Sequence, residues 1–472
     1  MSGLSSLLNI AKSALLAQQS GMNVVSHNIA NVNTEGYSKQ EVQFINRPGL
    51  RTLNAGAGLG VDADHVRQRQ AAFADKRIYN ENSRLGQWDL TQRILEQTEI
   101  AFFGSGESDL NAMMNEFFNS WEDLSGNPES LEFRNQLLHK AGTLTDKFRE
   151  LDSSLTEVRE NIEVEFQAGI RKVNQLINQI DELNHNIERN EINSGSANDL
   201  RDQRGVLIKK LSSLIDIQVN ETSTGVMRVS FKGHLLLSRN SKQLLSGNVS
   251  AGGSGNSGNS MTLRVGDEVV KSSHGQLGAL LQLHGSVLPG YRNKLNDIAD
   301  TLVKQVNTLH KHGFGLDGTT GENFFMETGT LAGTISLNRD LEKNPNMIAT
   351  ADGVHDYEND VHTSNGPGDN TIARRIADLR NVPLMNDKTS TLSDAYTDLY
   401  AQVGFDTAEA QKNTESHQGL LDQMENFRES RVGVSIDEEM ADMLKFQNSY
   451  NAAARLISVA DDMLKTLINV LG

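Results

Sequence analysis

The sequence predicts a mainly α-helical, elongated, multi-domain chain carrying a β-rich insert. Three observations predict it. Apolar residues recur with a 4,3 spacing at both ends, helical periodicity dominates the interior, and one central stretch switches to a period of two. The 472 residues are several times the ~150 of a common domain, so more than one core is expected. Lys and Arg number 44 against 61 Asp and Glu, a net charge of -17 that opposes binding to nucleic acid or acidic lipid surfaces. With no cysteine, the chain is expected to have no disulfide, no thiol catalysis and no Cys-ligated zinc, and to be indifferent to redox compartment. The first residues lack a basic n-region and a compact apolar run, because Lys12 interrupts the stripe, so no cleaved signal is expected. No segment approaches the ~20 apolar residues of a membrane span, and no membrane insertion is expected.

Residues 4 to 31 read as the first helix. Leu4, Leu8, Ala11, Leu15, Met22, Val25 and Ile29 form its seam, with Gln18 as a polar gap, and the turn-rich run from Asn31 to Tyr37 ends it. Looped or extended chain follows through Arg47-Pro48-Gly49 and Gly56 to Gly60. Helical patterns run from about Gln70 to Leu214, with breaks at Gly104 to Ser108 and at Ser125-Gly126-Asn127-Pro128. The longest, expected over roughly 150 to 192, carries a stripe of Leu155, Val158, Ile162, Phe166, Ile170, Val173, Ile177, Ile180 and Ile187. Its steps of four resemble a stutter that locally unwinds a supercoil.

Alternation at Ile217 and Val219, then Met227, Val229 and Phe231, predicts a hairpin about Ser223-Thr224-Gly225. Met261, Leu263 and Val265 predict another strand, and the Gly/Ser/Asn-rich stretch from Ser246 to Ser260 reads as an exposed flexible loop. A helix from Leu277 to Leu309, turn-rich text from 313 to 370 and helix again from about 392 complete the middle.

The closing helix runs from Ile436 to Leu471 without Gly or Pro. Ser435 and Glu438 read as a capping box, and Asp437, Glu438 and Glu439 suit the positive end of the helix dipole. Its expected seam is Ile436, Met440, Met443, Tyr450, Ala454, Ile457, Leu464, Ile468 and Leu471, with Gln447 and Asp461 as polar gaps that weaken it. The two ends are therefore expected to pair with each other as a coiled coil. Ordering each residue costs about 1 to 2 kcal/mol of backbone entropy, which a single stripe facing water does not recover, so the ends are expected to fold on assembly.

Other candidate sites have ordinary explanations. Asp356, Glu358, Asp360 and His362 would share one face of a strand, but a solvated acidic loop accounts for them, and no metal ligand or cofactor is expected. The segment Asp317 to Asn323 lacks calcium-loop spacing and reads as a turn. His310 and His312 cannot share a helical face and are expected at the surface. The glycines at 252 to 258 lack a phosphate-loop Lys, and no nucleophile context or His-Glu-x-x-His occurs, so no enzyme activity and no catalytic residue is expected.

The run Val25-Ser26-His27-Asn28-Ile29-Ala30-Asn31-Val32-Asn33-Thr34-Glu35-Gly36-Tyr37 resembles the N-terminal signature of bacterial flagellar axial proteins, with Asn28, Ile29, Ala30, Asn31, Thr34, Gly36 and Tyr37 carrying the likeness. Arg431, Asp437-Glu438-Glu439-Met440, Phe446-Gln447, Tyr450, Ala454-Arg455 and Met463-Leu464 resemble the C-terminal counterpart. Glu35 stands where the signature usually has proline, and His27 where it usually has asparagine. Within that class, Asn198-Asp199-Leu200-Arg201-Asp202-Gln203-Arg204 and the stretch from Phe117 to Arg134 are similar to the hook-associated protein 1 family of the hook-filament junction.

The resemblance implies a structural protein without enzymatic function, exported unfolded by the flagellar type III system. It implies a ring of identical subunits in contact with hook protein and the second junction protein. It also implies a cytoplasmic export chaperone on the C-terminal helix, around Met440, Leu444, Ile457 and Leu464. The expected division is a terminal axial domain over 1–60 and 431–472, a helical rod over 61–215, 275–312 and 372–430, and an outer β-rich insert over 216–274 and 313–371. Another axial protein of hook, rod or junction, or a secreted helical adhesin or effector, remains as the alternative.

Overall fold

The computed structural model describes residues 2–47, 60–102, 109–193, 195–250, 260–356 and 361–471. It is mainly helical, with small antiparallel sheets and long helices at both ends. Helix α1 (Ser2–Ala30) leads into a hairpin of β1 (Gln40–Asn46) and β2 (Val61–Gln68). Helices α2 (Ala72–Phe102), α3 (Leu110–Gly126), α4 (Leu131–Asn193) and α5 (Asn198–Leu214) follow. Then come two three-stranded meanders, β3 (Ile217–Glu221), β4 (Met227–Phe231) and β5 (His234–Leu237), and β6 (Leu245–Ser250), β7 (Ser260–Val265) and β8 (Glu268–Val270). The chain returns to helix in α6 (Gly275–Gln282) and α7 (Leu288–His310), joined by a π-helical turn over Leu283–Val287. After α8 (Arg339–Lys343), the hairpin β9 (Gly353–Asp356) and β10 (Val361–Ser364), and α9 (Thr371–Asp378), the chain ends in α10 (Leu392–Val432) and α11 (Ile436–Leu471).

Helix α4 begins at Leu131, well before residue 150, because the turn at Asn127–Ser130 is the last break and nothing after it opposes helix. At 1.5 Å per residue it is about 95 Å long. The whole stripe from Leu155 to Ile187 named above is buried, and Leu137, Ala141, Leu144, Phe148 and Leu151 extend it. Helix α2 lies along α10, and α1 along α11. The π turn precedes Pro289, whose missing N–H removes a helical hydrogen bond, so one turn widens and the helix continues.

Asparagines bind extended chain to these helices. In each of three cases one amide replaces a strand neighbour by serving both backbone groups of a single residue. Asn174 on α4 donates to the Leu245 carbonyl and accepts from its N–H, both at 2.8 Å. Asn184, one turn from Ile180 and Ile187, treats Met227 likewise at 3.0 Å. Asn307 on α7 holds Phe325 at 2.9 and 2.8 Å. Both meanders are thus fastened to α4 through polar positions within or beside its apolar stripe.

One expectation is corrected in this region. His310 is 1% exposed rather than superficial, because Trp121 and Phe324 pack on its ring while it donates to the Glu322 carbonyl and accepts from the Ala349 N–H. Burial pushes its pKa down to about 4. The acidic run at 356–362 is not a single strand. Asp356 is opposite Val361 in a hairpin, so His362 faces His355, while Glu358 and Asp360 lie outside the described residues. Beside this region Arg134, fully buried, donates to the carbonyls of Pro128, Pro345 and Ile348 and to the Thr350 hydroxyl, and burial lowers its pKa to about 10. The segment Asp317 to Asn323 is a turn, in which the Asp317 carboxylate accepts from Thr319 and Asn344. Of the stretch from Ser246 to Ser260 expected as a flexible loop, residues 246–250 instead belong to β6 and pair with β7, which Ser260 opens, while 251–259 lie outside the described residues.

Candidate assembly interface and its polar hub

Helices α1 and α11 pair, but the seam on α11 is rotated from the one its spacing suggests. Its least exposed stripe is Glu439, Met443, Phe446, Tyr450, Ala453, Ile457, Ala460 and Leu464. Met443, Tyr450, Ile457 and Leu464 are shared with the expected seam. Ile436, Met440, Ala454 and Ile468 are exposed instead, and the side chain of Leu471 lies outside the described residues. The polar gaps at Gln447 and Asp461 vanish with the rotation, because Phe446 and Ala460 take their places. On α1, Ala11 and Val25 are buried, whereas Leu4, Leu8, Leu15, Met22 and Ile29 are half-buried.

Close approach decides the register. The Phe446 ring lies over Gly21, where an added Cβ would stand 2.9 Å from it, and Phe44 of β1 meets the same ring with centroids 6.1 Å apart. Ser13 and Ala17, which the spacing did not single out, are buried on a second face of α1, where Ser13 accepts from the Val61 N–H of the hairpin.

Where α1 ends, the signature residues build a hub. Asn28, 1% exposed, uses every hydrogen-bonding position of its amide. It donates to the Gln40 carbonyl and to Glu439 Oε2, both at 2.9 Å. It accepts from the Tyr37 hydroxyl at 2.8 Å and from the Gln40 N–H at 3.0 Å. Asn28 thereby repeats the asparagine clamp and adds a link to α11. Tyr37, having donated to Asn28, accepts from His27 Nδ1 at 2.9 Å, so the departure at position 27 has a defined role. Burial, with Asp199 and Asp202 nearby, raises the Tyr37 pKa and keeps the hydroxyl protonated. Asn31 and Thr34 satisfy the end of α1, Asn31 by donating to the His27 carbonyl and Thr34 by donating to Asn31. Ile29 is half-buried, and Ala30 and Glu35 are exposed.

Two residues central to the hub were not singled out by spacing. Lys39, 5% exposed, lies 2.8 Å from Glu439 and 3.2 Å from Glu438, while its N–H donates to the Val432 carbonyl at 2.8 Å. Burial alone would lower the lysine pKa, but its hydrogen bonds to Glu439 and Glu438 prevail and the net direction is up. Glu439 is 1% exposed. Glu438, expected to cap α11, turns to Lys39 instead, and a capping box occurs at α10 between Thr391 and Asp394.

The motif from Asn198 to Arg204 opens α5 and works in two directions. Asp199 accepts from Gln40 Nε2 at 2.8 Å, and Asp202 accepts from the Ser38 N–H at 3.2 Å and from Gln68. Arg201 and Arg204 reach the other way, into the β3–β4 hairpin, where Arg204 donates to Glu221 and the Gly225 carbonyl, and it also donates to Asn184 on α4. One turn of helix thus ties the terminal pair to the strands.

Gly36 brings the signature loop against α5. Its φ is +78°, and an added Cβ would stand 2.6 Å from the Val206 side chain. We expect Gly36→Ala to destabilise this junction by about 1–3 kcal/mol, read as lost hydrogen-exchange protection at Tyr37 and Gln40.

Asp202 makes the hub pH-sensitive, because burial raises its pKa to about 6 despite the hydrogen bonds that oppose the rise. A raised carboxylate pKa stabilises the fold below the unfolded value, and that contribution is lost as pH climbs through the folded one. The wild type should therefore lose stability relative to Asp202→Asn between about pH 4 and 6. Urea midpoints measured across that window check this, and a pH-independent difference would refute it.

Family models match three stretches of the chain. Residues 8–37 match the flagella basal body rod protein, 95–325 the helical domain of flagellar hook-associated protein FlgK, and 429–470 the C-terminal part of the flagellar basal body rod FlgEFG proteins. The chain is 28% identical to flagellar hook-associated protein 1 of Bacillus subtilis across 98% of both chains. It is 24% identical to the Escherichia coli protein of that name, over 99% of this chain and 100% of that one. The chain is thus similar over its whole length to flagellar hook-associated protein 1. The flagellar hook junction protein FlgK from Burkholderia pseudomallei shares the fold, with a TM-score of 0.66 over 76% of this chain and 100% of that one at 14% identity. This likeness makes the chain a structural component of the flagellum and not an enzyme. No helix among the described residues is long and apolar enough to cross a membrane.

Proposed function

We propose that this chain forms the ring joining hook to filament, using α1 and α11 as the axial wall, in contact with hook protein, the second junction protein and its own copies. The observation that carries this reading is α11 itself. Outside its seam with α1 it exposes Met440, Leu444 and Ile468 on one flank and Leu456, Val459 and Met463 on the other, while Ile436 stands open at its start. A helix that pairs along one stripe and keeps apolar residues on both flanks is suited to further helices on either side.

The domain division given above is part of this proposal. So is export as an unfolded chain through the flagellar type III system, the termini folding at the growing tip. The chaperone-binding segment is consistent with that order. Met440 and Leu444 are open in the folded chain, whereas Ile457 and Leu464 face α1, so a chaperone gripping all four holds α11 before α1 pairs with it.

Immunogold microscopy of intact flagella, with antibody against residues 216–274, tests the reading. Gold in one narrow band between hook and filament is the expected result. Label along the hook or filament would assign the chain elsewhere in the axis, and absence of label from flagella would overturn the proposal.

A further inference from the structure

We propose that His355 and His362 form a two-imidazole site for a divalent transition-metal cation, with zinc as the probe. The residues are directly opposite across the β9–β10 hairpin, on one face, with their Nδ1 atoms 3.2 Å apart. His355 Nε2 is 2.7 Å from the His312 carbonyl, which has no proton to give, so Nε2 carries a hydrogen and Nδ1 is the nitrogen turned to His362. A backbone carbonyl on the far nitrogen is how proteins hold and orient metal-ligating imidazoles.

The ring is fixed a second time by Phe314, stacked on it at 4.9 Å and 15°. Phe314 is itself anchored, its N–H donating to the Ala351 carbonyl just before β9. Two nitrogens bound to tetrahedral zinc at about 2.0–2.1 Å stand roughly 3.3 Å apart, close to the separation found between the Nδ1 atoms. Both side chains are half-exposed, so a cation reaches them from solvent. No group of three or more candidate ligands occurs among the described residues, so the site is proposed on these two imidazoles alone. Bound metal would clamp the hairpin and, through the His312 carbonyl, tie it to the turn that ends α7.

The test is calorimetric titration of zinc into the full chain at neutral pH, repeated with His355→Ala, His362→Ala and the double variant. Wild type should bind one zinc, each single variant should bind it about tenfold or more weakly, and the double variant should not bind at that site. His312→Ala should bind as wild type does, since its contribution is a backbone carbonyl. Circular dichroism of each variant separates lost ligands from lost fold. Absence of binding by the wild type, or unchanged binding by the double variant, would overturn the proposal and leave the pair sharing a proton.

Discussion

Lys39→Met should open the junction between the two ends of the chain. It removes the cation from Glu439, whose carboxylate is 1% exposed and keeps only the Asn28 amide among its described hydrogen bonds. Stranding one member of a buried pair costs on the order of 3–5 kcal/mol. A chain of several domains does not unfold in one step, so the readout is local. Hydrogen exchange near Asn28 and Glu439 should accelerate roughly 10²- to 10³-fold, while the centre of α4 stays protected. Adding Glu439→Gln to Lys39→Met should restore most of the protection, because the buried charge is gone and a side-chain carbonyl still accepts from Asn28. The Glu438 contact contributes little, since that carboxylate is 66% exposed and screened. If the single variant exchanges like wild type, the pair does not hold the termini together.

The second large effect separates the two possible seams of α11. Ala453 and Ala460 are 4% and 0% exposed against α1, whereas Ala454, one position on, is exposed. Ala453→Glu with Ala460→Glu drives charge into a closely packed interface, and α1 and α11 should separate in the isolated chain, with loss of protection in both. Ala454→Glu should leave that pairing intact. Under the proposed assembly it should still impair swarming, because position 454 lies on the part of α11 open to a neighbouring subunit. Normal incorporation of Ala454→Glu into flagella would show that this face contacts nothing. Unchanged protection in the Ala453/Ala460 variant would show that the seam had been misplaced.

Much of this architecture was legible in the residues. The stripe on α4 is long and uninterrupted, so one periodicity sufficed, and the switch to period two located the hairpin about Ser223-Thr224-Gly225 because few other patterns bury alternating residues. The signature from Val25 to Tyr37 was recognisable as a motif, yet its physical content was not. That Asn28 needs both donors and both acceptors appears only once Gln40, Tyr37 and Glu439 surround it. The same holds for Asn174, Asn184 and Asn307, polar residues on buried or half-buried helix faces whose partners are loops and strands far along the chain.

By itself, then, the sequence determined which segments are helix, where they break, and that the two ends carry stripes in need of partners. These depend on local propensity and spacing, which act within a few residues. Tertiary structure decided which stripe of α11 is buried. Apolar residues surround that helix broadly enough to offer two seams that share Met443, Tyr450, Ile457 and Leu464 and differ by one residue at the alternate positions, a turn of the stripe by about 50° that periodicity does not rank. Phe446 over Gly21 and Glu439 between Asn28 and Lys39 choose between them, through contacts joining opposite ends of the chain.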